Sequence, residues 1–503
     1  MRQLGDEAVL FDVEGGHRAA QALARRIRAS DVVPAETTVG VVGPFELVEE
    51  GADEAPARLH EIPVVFDGED LGELGLGGAE VAATLAGRPL EVAFLGFMPG
   101  FAYLVGLPEP LARLPRRASP RTRVPAGSLA VGGGYAGIYP VSSPGGWNLL
   151  GRTSFRPFDS SSPPYARLRP GDRVLLVAEA SLPRPPEPVR TPLEGRDLEV
   201  VDPGPLLLVE DLGRRGAGAL GIPRSGAANG CWLQVANLAV GNDAGAAALE
   251  TTGPIRLRAG RDLSLALAGE AVLVVDGSEC PQGVVTVVGA GQEVAVGPVR
   301  SSARAVLAVG GGIETPLVFE SRSCDAVSGL PPGPLRAGDA LDVGPPAGRP
   351  RRRFGLPAPR RAPGEPVVLR AIAGPDLLAR GGLEGRFLVD PRSDRTGVRL
   401  AAAAGSQRLE PPEAISSHAV LPGAVQLPPS GDPVILGPDC GPVGGYPVGA
   451  TVITADLWKV GTLAAGDAVE LVAVSLDDAA SARAELGETV AASLEGWYPT
   501  HVA

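Results

Sequence analysis

The apolar residues of this chain fall in short runs that glycine and proline separate, a pattern typical of many short β-strands joined by tight turns. The runs at 174–177 and 206–209 are examples. Apolar residues at helical spacing occur in three stretches, 17–30, 231–240 and 477–494. We therefore predict a mainly β fold with a small α+β domain at the N terminus and a surface helix near the C terminus.

The length of 503 residues exceeds what one hydrophobic core supports, so we expect roughly three to four domains. A proline-rich segment at 183–188 cannot enter a central strand and indicates a linker. The predicted segments are 1–88 (small α+β domain), 89–182 (all-β barrel unit), 183–197 (linker), 198–300 (first β domain of the second half), 301–475 (second barrel region) and 476–503 (C-terminal helix and tail).

One internal repeat links these segments. The pattern Leu-x-x-Gly-Asp-x-(Val/Leu) occurs at 168–174, 335–341 and 463–469. A Gly-Asp turn leading into an apolar strand is a common hairpin device, so one copy carries little information. Three copies near predicted boundaries indicate several β-barrel domains that close with a similar last strand.

The charge balance and the N terminus limit the class of protein. Lys+Arg of 45 against Asp+Glu of 58 gives a net charge of −13, which argues against nucleic-acid and anionic-membrane partners. The N terminus lacks the apolar core of a signal peptide, and the apolar stretch at 263–275 is too short to span a bilayer. We therefore expect a cytoplasmic protein. Lys459 is the only lysine, and its surroundings fit no biotin attachment site, Schiff base or P-loop.

Cysteine and histidine spacing favours no metal site. The cysteines lie far apart without a Cys-x-x-Cys pair, and the histidines have no ligand spacing. We expect buried free thiols and no bound metal held by these residues. The residues concerned are Cys231, Cys280, Cys324, Cys440, His17, His60, His418 and His501, of which only His418 lies in a loop with other candidate residues.

Three loops of the first half combine rigid turns with polar groups. Two arginines, Arg121 and Arg123, share one side of an extended segment, because alternate residues of a strand point to the same face. Such arginines could hold a carboxylate or a phosphate in bidentate geometry, and these two are the catalytic candidates of the first half. The alternative is that the loops only close a barrel and that their aromatic residues belong to its core. The candidate binding residues here are Phe97, Pro99, Gly100, Phe101, Ser128, Ser143, Gly145, Gly146, Trp147 and Arg152.

The second half repeatedly places an acidic residue or an arginine beside a turn. Asp394 and Arg395 are the catalytic candidates of this half. Structural ion pairs explain such patterns at least as often as catalysis does. The glycine run at 310–312 lacks the spacing of a dinucleotide fingerprint. The binding candidates are Asp211, Arg214, Arg224, Ser225, Arg322, Asp325, His418, Gln426, Gly444, Gly445 and Tyr446.

These motifs, in this order, resemble two known families laid end to end. The segments at 94–103, 120–128 and 143–153 resemble the KipI family, also called the B subunit of the prokaryotic 5-oxoprolinase or allophanate hydrolase subunit 1. A further set resembles the KipA family, the C subunit of the same enzyme, at 211–216, 221–227, 321–325, 393–400 and 422–447. The resemblance implies a fusion with cyclophilin-like β-barrels in both halves.

The resemblance also implies an activity. The two fused parts would use ATP and Mg²⁺ to activate the lactam of 5-oxoproline, and the enzyme's third component, a separate A subunit of the LamB/YcsF type, would complete ring opening to glutamate. Arginines 121, 123 and 152 would neutralise phosphate or carboxylate, and Asp211, Asp325 or Asp394 would hold Mg²⁺ or orient an arginine. A homo-oligomer stays open as a further assembly.

Two alternatives follow from the same resemblance. KipI and KipA relatives regulate a sensor histidine kinase, so the chain could be a regulator. It could also be a carboxyltransferase acting on urea or a similar amide; without covalently bound biotin, it would need a separate biotin carrier. The sequence departs from the KipA pattern at Asn229, at 440–443 and at Val448, and the stretch around 440–448 is closer to the carboxyltransferase part of urea carboxylase.

Overall fold

A computed structural model describes residues 1–48, 56–117, 119, 121–160, 163–182, 192–300, 302–325, 330–358, 365–376, 385–402 and 415–495. The predicted fold class, mainly β with a small α+β unit at the N terminus, is confirmed. Among the described residues, no helix has both the length and the apolar composition needed to cross a bilayer.

The N-terminal unit is a four-stranded antiparallel sheet covered by one helix. Its strand order is β1-β2-β5-β4. Ala20 of the helix packs against Val39 and Val41 of the sheet. The elements are β1 (Arg2–Leu4), β2 (Ala8–Asp12), α1 (Gly16–Arg25), β3 (Ile27–Arg28), β4 (Asp31–Pro34), β5 (Thr38–Val42) and β6 (Glu46–Leu47).

The second unit is a seven-stranded barrel, called barrel 1. Its order is β14-β11-β12-β9-β8-β15-β7, with β7 parallel to β15. Val65 and Arg152 each donate an N–H to the other's carbonyl at 2.9 Å, which joins the two edges of the sheet. The elements are β7 (Leu59–Val64), α2 (Gly78–Leu85), β8 (Leu90–Leu95), β9 (Ala102–Val105), β10 (Arg121–Val124), β11 (Ser128–Gly132), β12 (Tyr135–Ile138), β13 (Ser143–Gly145), β14 (Asn148–Arg152) and β15 (Arg173–Ala178).

The second half begins with two sheets packed face to face, called the sandwich. The sheets, of seven and five strands, enclose one apolar core, and α3 packs on the outside against β20 and β25. The elements are β16 (Leu198–Asp202), β17 (Leu207–Glu210), α3 (Gly230–Ala239), β18 (Ala248–Thr251), β19 (Ile255–Ala259), β20 (Leu263–Ala268), β21 (Leu273–Val275), β22 (Ser278–Glu279), β23 (Thr286–Val288), β24 (Glu293–Val296), β25 (Ala305–Val309), β26 (Ile313–Glu314) and β27 (Ala340–Val343).

The last unit is a closed barrel, called barrel 2, followed by a long helix. Its order is β28-β35-β32-β33-β30-β29-β36, again with a parallel pair formed by its first and last strands. The elements are β28 (Val367–Ala373), β29 (Gly385–Val389), β30 (Gly397–Ala402), β31 (His418–Ala419), β32 (Ala424–Gln426), β33 (Val434–Leu436), β34 (Val443–Gly444), β35 (Val448–Val452), α4 (Leu457–Val460), β36 (Ala468–Ala473) and α5 (Leu476–Glu495).

Two of the expected domain limits differ from this arrangement. Strand β7 and helix α2, expected in the segment 1–88, belong to barrel 1 because β7 pairs with β15. Strands β25 and β27, expected in the segment 301–475, complete the sandwich because they pair with β18 and β16. In both cases the hydrogen bonds that assign the strand to its sheet join strands more than fifty residues apart. The local pattern of apolar and polar residues does not predict such pairings.

Each copy of the predicted repeat forms the same turn, which an aspartate side chain stabilises by a hydrogen bond to the backbone. Asp172, Asp339 and Asp467 each accept a hydrogen bond from the backbone N–H three residues earlier, at 3.0, 2.7 and 2.9 Å. The turn leads into β15, β27 and β36. Strands β15 and β36 take part in the parallel pairs of the two barrels, whereas β27 lies in a sheet of the sandwich. The repeat thus precedes a barrel strand in two of its three copies.

One apolar core joins three of the four units. Leu10 of the N-terminal unit, Phe101 and Trp147 of barrel 1, and Ala419 and Val443 of barrel 2 belong to a single cluster of buried side chains, called the shared core. The packing is close: a Cβ on Gly40 would collide with the Cβ of Ala419, and a Cβ on Gly96 would lie 2.7 Å from the Cβ of Val443. The two halves of the chain therefore form one body.

The C-terminal helix connects the remaining units. Near its start, Ala479 and Ala482 pack on Ile453 of barrel 2. Near its end, Leu494 packs with Trp232 of α3 in the sandwich. The predicted helix at 477–494 matches α5 closely, because its apolar positions contact two different units along one face.

The shared core predicts that the halves associate without a covalent link. Residues 1–182 and 192–503, co-expressed as separate chains, should purify as one complex. Val443→Glu should separate them, because it places an unpaired charge in the buried contact with Gly96. Val472→Glu is the matched control, since Val472 is exposed on barrel 2. Size-exclusion chromatography reads the result, and separate elution of the unmutated halves would contradict it.

Candidate functional site

Three loops from different units meet at one place. The loop 96–100 follows β8, the loop 220–226 precedes α3, and the loop 437–445 precedes β35. Gly100 N–H donates to the Leu220 carbonyl at 3.0 Å, and Ser225 N–H donates to the Pro438 carbonyl at 2.9 Å. A Cβ on Gly441 would collide with the carbonyl oxygen of Phe97. We call these three loops the three-loop junction.

Two non-glycine residues of the junction have strained backbones. Phe97 has φ 64° and Ser225 has φ 53°, both in the left-handed region. Each such residue costs about 1–3 kcal/mol and persists only where the surroundings enforce it. The fully buried Arg214 helps to enforce the second, because its guanidinium donates to Ser225 Oγ at 2.8 Å. Strain of this kind is often associated with function, so the junction is a candidate site.

Arg224 is the arginine that the junction loops carry. Only 22% of its side chain is exposed, yet its one ion pair with a described residue is to Glu7, at 3.9 Å. No described residue accepts a hydrogen bond from its guanidinium within 3.5 Å. Burial, together with the positive charge of Arg215, lowers the pKa of Arg224. A half-buried guanidinium with free N–H donors is suited to bind a carboxylate or a phosphate.

Two further titratable groups lie close to Arg224. Burial raises the pKa of Asp31, although the Gly218 N–H donates to its carboxylate at 3.3 Å and the charge of Arg224 acts in the opposite direction. Burial also raises the pKa of the Cys440 thiol to about 12. Because the thiolate is the nucleophilic form, Cys440 is not a nucleophile at neutral pH.

The aromatic loop divides into a core part and an accessible part. Phe101 packs edge-on against Trp147, Tyr103 and Tyr139, with ring centroids 5.2–5.3 Å apart. Phe97 contacts Phe101 at 5.4 Å, but 37% of its surface is exposed. Phe101 and Trp147 are therefore core residues, as the alternative interpretation held, and Phe97 alone presents a ring at the junction surface.

Most of the other candidate residues in the first-half loops are buried and have structural contacts. Ser128, Ser143, Pro99 and Gly100 are buried, and β13 pairs with β10 through Gly145 and Arg121. A Cβ on Gly145 would collide with the Tyr139 hydroxyl. Gly146 accepts a hydrogen bond from the Arg117 N–H at 2.7 Å.

Arg121 is neutralised by a buried carboxylate. It pairs with Asp70, which also accepts from Arg117 at 2.6 Å and from the Leu149 N–H at 2.6 Å. Burial alone would raise the pKa of Asp70, but these hydrogen bonds and charges lower it below its usual value. The expected role of Arg121 as an anion ligand is therefore not supported, since its charge is already used within barrel 1.

Arg123 and Arg152 lie at the surface of barrel 1. The Nε of Arg123 donates to Ser142 Oγ at 2.9 Å, and Arg152 pairs with Asp67 at 2.9 Å. Both arginines are exposed. The structure thus does not bring the three first-half arginines together around one ligand, which differs from the expectation.

Arg395 is the centre of a buried ion cluster. Its guanidinium donates to both oxygens of Asp439 at 2.8 and 2.9 Å, to Glu250 at 2.5 Å and to the Gly226 carbonyl at 2.8 Å. Glu210 lies 3.2 Å away, and burial raises its pKa well above its usual value. The cluster joins β17 and β18 of the sandwich to barrel 2. Arg395 is therefore a structural residue and not a ligand-facing catalytic one.

The aspartates proposed for Mg²⁺ are engaged by their own loops. Asp211 accepts from Ser321 and Ser323 hydroxyls at 2.8 and 2.6 Å and from two backbone N–H groups. Asp394 is exposed and caps its turn by accepting from Thr396 N–H at 2.8 Å. Asp325 is fully buried. These residues do not fit a Mg²⁺ site, and no group of three or more His, Cys, Asp or Glu in the described part of the chain could hold a metal ion.

The remaining second-half candidates are placed as follows. His418 is buried, and its Nε2 lies 3.0 Å from Asp376, which also pairs with Arg2 at 3.0 Å. Arg322 pairs with Glu314. The buried Gln426 donates to the Tyr446 carbonyl at 3.4 Å, and Gly444 packs against Gln426. A Cβ on Gly445 would lie 2.8 Å from Arg116 of barrel 1, and Tyr446 is 38% exposed.

Several important residues were absent from the sequence-based set. Glu7, Asp31, Asp70 and Glu250 lie outside the motif segments, and Asp439 lies within 422–447 but was not a candidate. Each meets its partner across a long sequence separation. Of these structurally important residues, only Asn229 has a local sequence signal, because an asparagine just before a helix is a common N-cap. Its side chain accepts from the Trp232 N–H at 2.9 Å and caps α3, so this departure from the KipA pattern has a structural role.

The Arg395 cluster predicts a large, pH-dependent loss of stability. Arg395→Met should cost about 3–5 kcal/mol in unfolding free energy at neutral pH, because it leaves buried carboxylates unpaired. Burial already raises the pKa of Glu210, and loss of the Arg395 charge would raise it further, so the folded variant binds more protons than the unfolded chain. Its deficit should therefore shrink as the pH falls from about 8 to about 5.

Denaturant unfolding of Arg395→Met at several pH values measures this deficit. The matched control is Arg399→Met, since Arg399 is exposed on the neighbouring strand. An Arg395→Met variant as stable as the wild type, or one whose deficit grows on acidification, would contradict the structural role.

Comparison with known proteins agrees with this architecture. Residues 1–168 match the model described as carboxyltransferase domain, subdomain C and D, and residues 220–473 match the one described as subdomain A and B. The B subunit of 5-oxoprolinase from Escherichia coli O157:H7 is 44% identical over 138 residues, which are 26% of this chain and 63% of that protein. The chain thus spans less than two thirds of that relative.

Two further similarities extend over longer regions. The C subunit of 5-oxoprolinase from Escherichia coli K12 is 32% identical over 302 residues, covering 57% of this chain and 94% of that protein. A crystal structure of a protein designated TTHA0988 has a TM-score of 0.79 and 35% identity, and covers 92% of this chain and 99% of its own.

A more distant similarity concerns a urea-processing enzyme. The crystal structure of the K. lactis urea amidolyase matches with a TM-score of 0.54 and 26% identity, over 61% of this chain and 20% of its own. The relatives carry the names that the motif resemblance predicted, in the predicted order. The chain therefore belongs to the carboxyltransferase-domain family, as a fusion with subdomains C and D in its first half and A and B in its second.

Proposed function

We propose that this chain is the fused B and C subunits of an ATP-dependent 5-oxoprolinase and binds 5-oxoproline at the three-loop junction. The separate A subunit would complete the opening of the ring to glutamate. Support comes from the relatives of each half, which are named as the B and C subunits of 5-oxoprolinase. The junction loops come from both halves of the chain, so one site would contain residues of both the B-like and the C-like part.

The observation that carries the proposal is the state of Arg224. The other buried arginines that were candidates, Arg214 and Arg395, have short hydrogen bonds to protein acceptors. Arg224 is mostly buried with a single, long ion pair. Keeping a charge partly out of water without a close partner costs free energy, which a bound anion would recover. The carboxylate of 5-oxoproline is such an anion.

The neighbouring side chains suit the rest of this small molecule. The ring of Phe97 offers an apolar surface beside Arg224's loop, against which the methylene groups of a five-membered lactam can pack. The inert, buried Cys440 argues against a thiol-based covalent step at this position. The residues of the chain would thus bind, orient and partly enclose the substrate.

The reaction needs activation because an amide carbonyl is a poor electrophile. Resonance with the nitrogen gives the C–N bond partial double-bond character and lowers the reactivity of the carbonyl carbon. ATP would transfer its γ-phosphoryl group to the lactam oxygen with release of ADP, and that oxygen could then leave as phosphate when water adds to the carbonyl carbon. Arg224 would hold the substrate carboxylate throughout, so that the carbonyl keeps a fixed orientation.

A carboxyltransferase acting on urea or a similar amide is the second candidate. It rests on the family of the matched domains and on the similarity to a urea amidolyase. Urea itself is neutral, so in this reaction the anion available to Arg224 would be the carboxylate of carboxybiotin or of the carboxylated product. A chain without a biotin attachment lysine would also need a separate carrier protein.

The proposal predicts an activity and its dependence on Arg224. With the A subunit added, 5-oxoproline should stimulate ATP hydrolysis by the purified chain. Arg224→Gln should raise the KM for 5-oxoproline about 10- to 150-fold, since a hydrogen bond to a charged group contributes about 1.5–3 kcal/mol.

Steady-state kinetics of ATP hydrolysis measures both effects. The control is Arg256→Gln, because Arg256 is exposed on the sandwich and its ion pair is 3.9 Å long. No stimulation of the wild type by 5-oxoproline would reject the proposed activity. Stimulation by urea with a carboxybiotin carrier would favour the second candidate, and tight binding to a sensor histidine kinase without stimulation would favour a regulator.

A further inference from the structure

The N-terminal unit reaches the three-loop junction with Asp31 of β4 and with one turn. This turn, residues 5–7, joins β1 to β2 and lies against both barrel 2 and the loop 220–226. A Cβ on Gly5 would lie 2.8 Å from the Thr451 side chain of β35. Asp6 accepts hydrogen bonds from the Thr454 N–H and hydroxyl, both at 2.9 Å. The turn is therefore held in place from the barrel side.

A chain of charges runs from this turn to Arg224. Arg483, on the C-terminal helix α5, pairs with Asp6 at 2.8 Å and lies 3.6 Å from Glu7. Glu7 in turn lies 3.9 Å from Arg224. Glu7, near the N terminus, thus lies beside the arginine of the candidate site, and Arg483, near the C terminus, lies beside Glu7.

The distances in this series of ion pairs determine which contacts are hydrogen bonds. At 2.8 Å the Arg483–Asp6 contact is a charge-assisted hydrogen bond, which fixes the turn. At 3.9 Å the Glu7–Arg224 contact is too long for a hydrogen bond, so it attracts the guanidinium without occupying its N–H donors. An arginine side chain has many rotamers, and ordering it on ligand binding costs entropy unless it is already oriented.

We infer that Glu7 is a positioning residue, held by Arg483, that orients Arg224 towards a substrate carboxylate while leaving its donors free. The inference rests on the proposed binding of 5-oxoproline at the junction. It makes the site a composite of the N-terminal turn, the sandwich loop and the C-terminal helix. It assigns a binding-site function to the N-terminal unit, which contributes none of the sequence-based candidates.

The test compares kinetic constants of charge-removing variants. Glu7→Gln should raise the KM for 5-oxoproline about 1.4- to fivefold and leave kcat unchanged, because a partly exposed ion pair contributes about 0.2–1 kcal/mol. Glu7→Asp, which keeps the charge on a shorter side chain, should fall between Gln and wild type. Arg483→Gln should act in the same direction. Glu46→Gln is the control, since Glu46 is exposed in the same unit.

A double-mutant cycle separates positioning from a purely structural effect. In the Arg224→Gln background, Glu7→Gln should change KM no further, because the group that it orients is gone. An additive effect, or an unchanged KM in the single variant of an enzyme that responds to 5-oxoproline, would overturn the inference and leave the proposed function standing.

A structural measurement keeps the inference testable without activity. In a crystal structure of Glu7→Gln, the Arg224 side chain should change rotamer or lose its order. An Arg224 that keeps the wild-type rotamer would reject the positioning role even if 5-oxoproline proved not to be the substrate. If the proposed function is wrong and the inference is right, 5-oxoproline will not stimulate the wild type, but the rotamer of Arg224 will still change in Glu7→Gln.

Discussion

The shared apolar core between the N-terminal unit and the two barrels is the interaction on which the rest of this structure depends. The loop 96–100 and the loop 437–445 hold their conformations because Phe101, Met98, Cys440 and Val443 are buried in it together. A phenylalanine in the left-handed region and a carbonyl pressed against Gly441 are tolerable only where packing on every side enforces them. The candidate site is thus a consequence of the contact between the halves.

The arginines show how burial and pairing separate structural from functional charges. Arg395 has three carboxylates and a carbonyl around it, so its charge is fully used in joining the sandwich to barrel 2. Arg121 is likewise neutralised by Asp70. Arg224 has the opposite balance, with substantial burial and one long ion pair. An arginine beside a turn can therefore be a structural ion-pair residue or a candidate ligand-binding residue. The number of its protein partners and their distances distinguish the two cases.

The sequence predicted much of the architecture and less of the site, for the same physical reason. Periodicity located α3 and α5, and the aspartate turn before β15, β27 and β36 was visible because its hydrogen bond spans three residues. The assignments of β7 and β27 depend on strand pairings far along the chain. Arg224 was among the candidates, but its partner Glu7 is more than two hundred residues away, so no local pattern distinguished it from Arg395.

The departures from the KipA pattern at 440–443 lie in the part of the junction that barrel 2 contributes. The segment 221–227, which carries Arg224 and Ser225, matches that pattern, whereas 440–443 does not. In the structure the altered residues are those that contact the other half: Gly441 packs on the Phe97 carbonyl, and Val443 packs on Gly96. Under the proposed function, a change there alters the fit around the body of 5-oxoproline and leaves the guanidinium of Arg224 in place. We therefore propose that any difference in specificity from the relatives concerns the ring or amide part of the molecule and not its carboxylate.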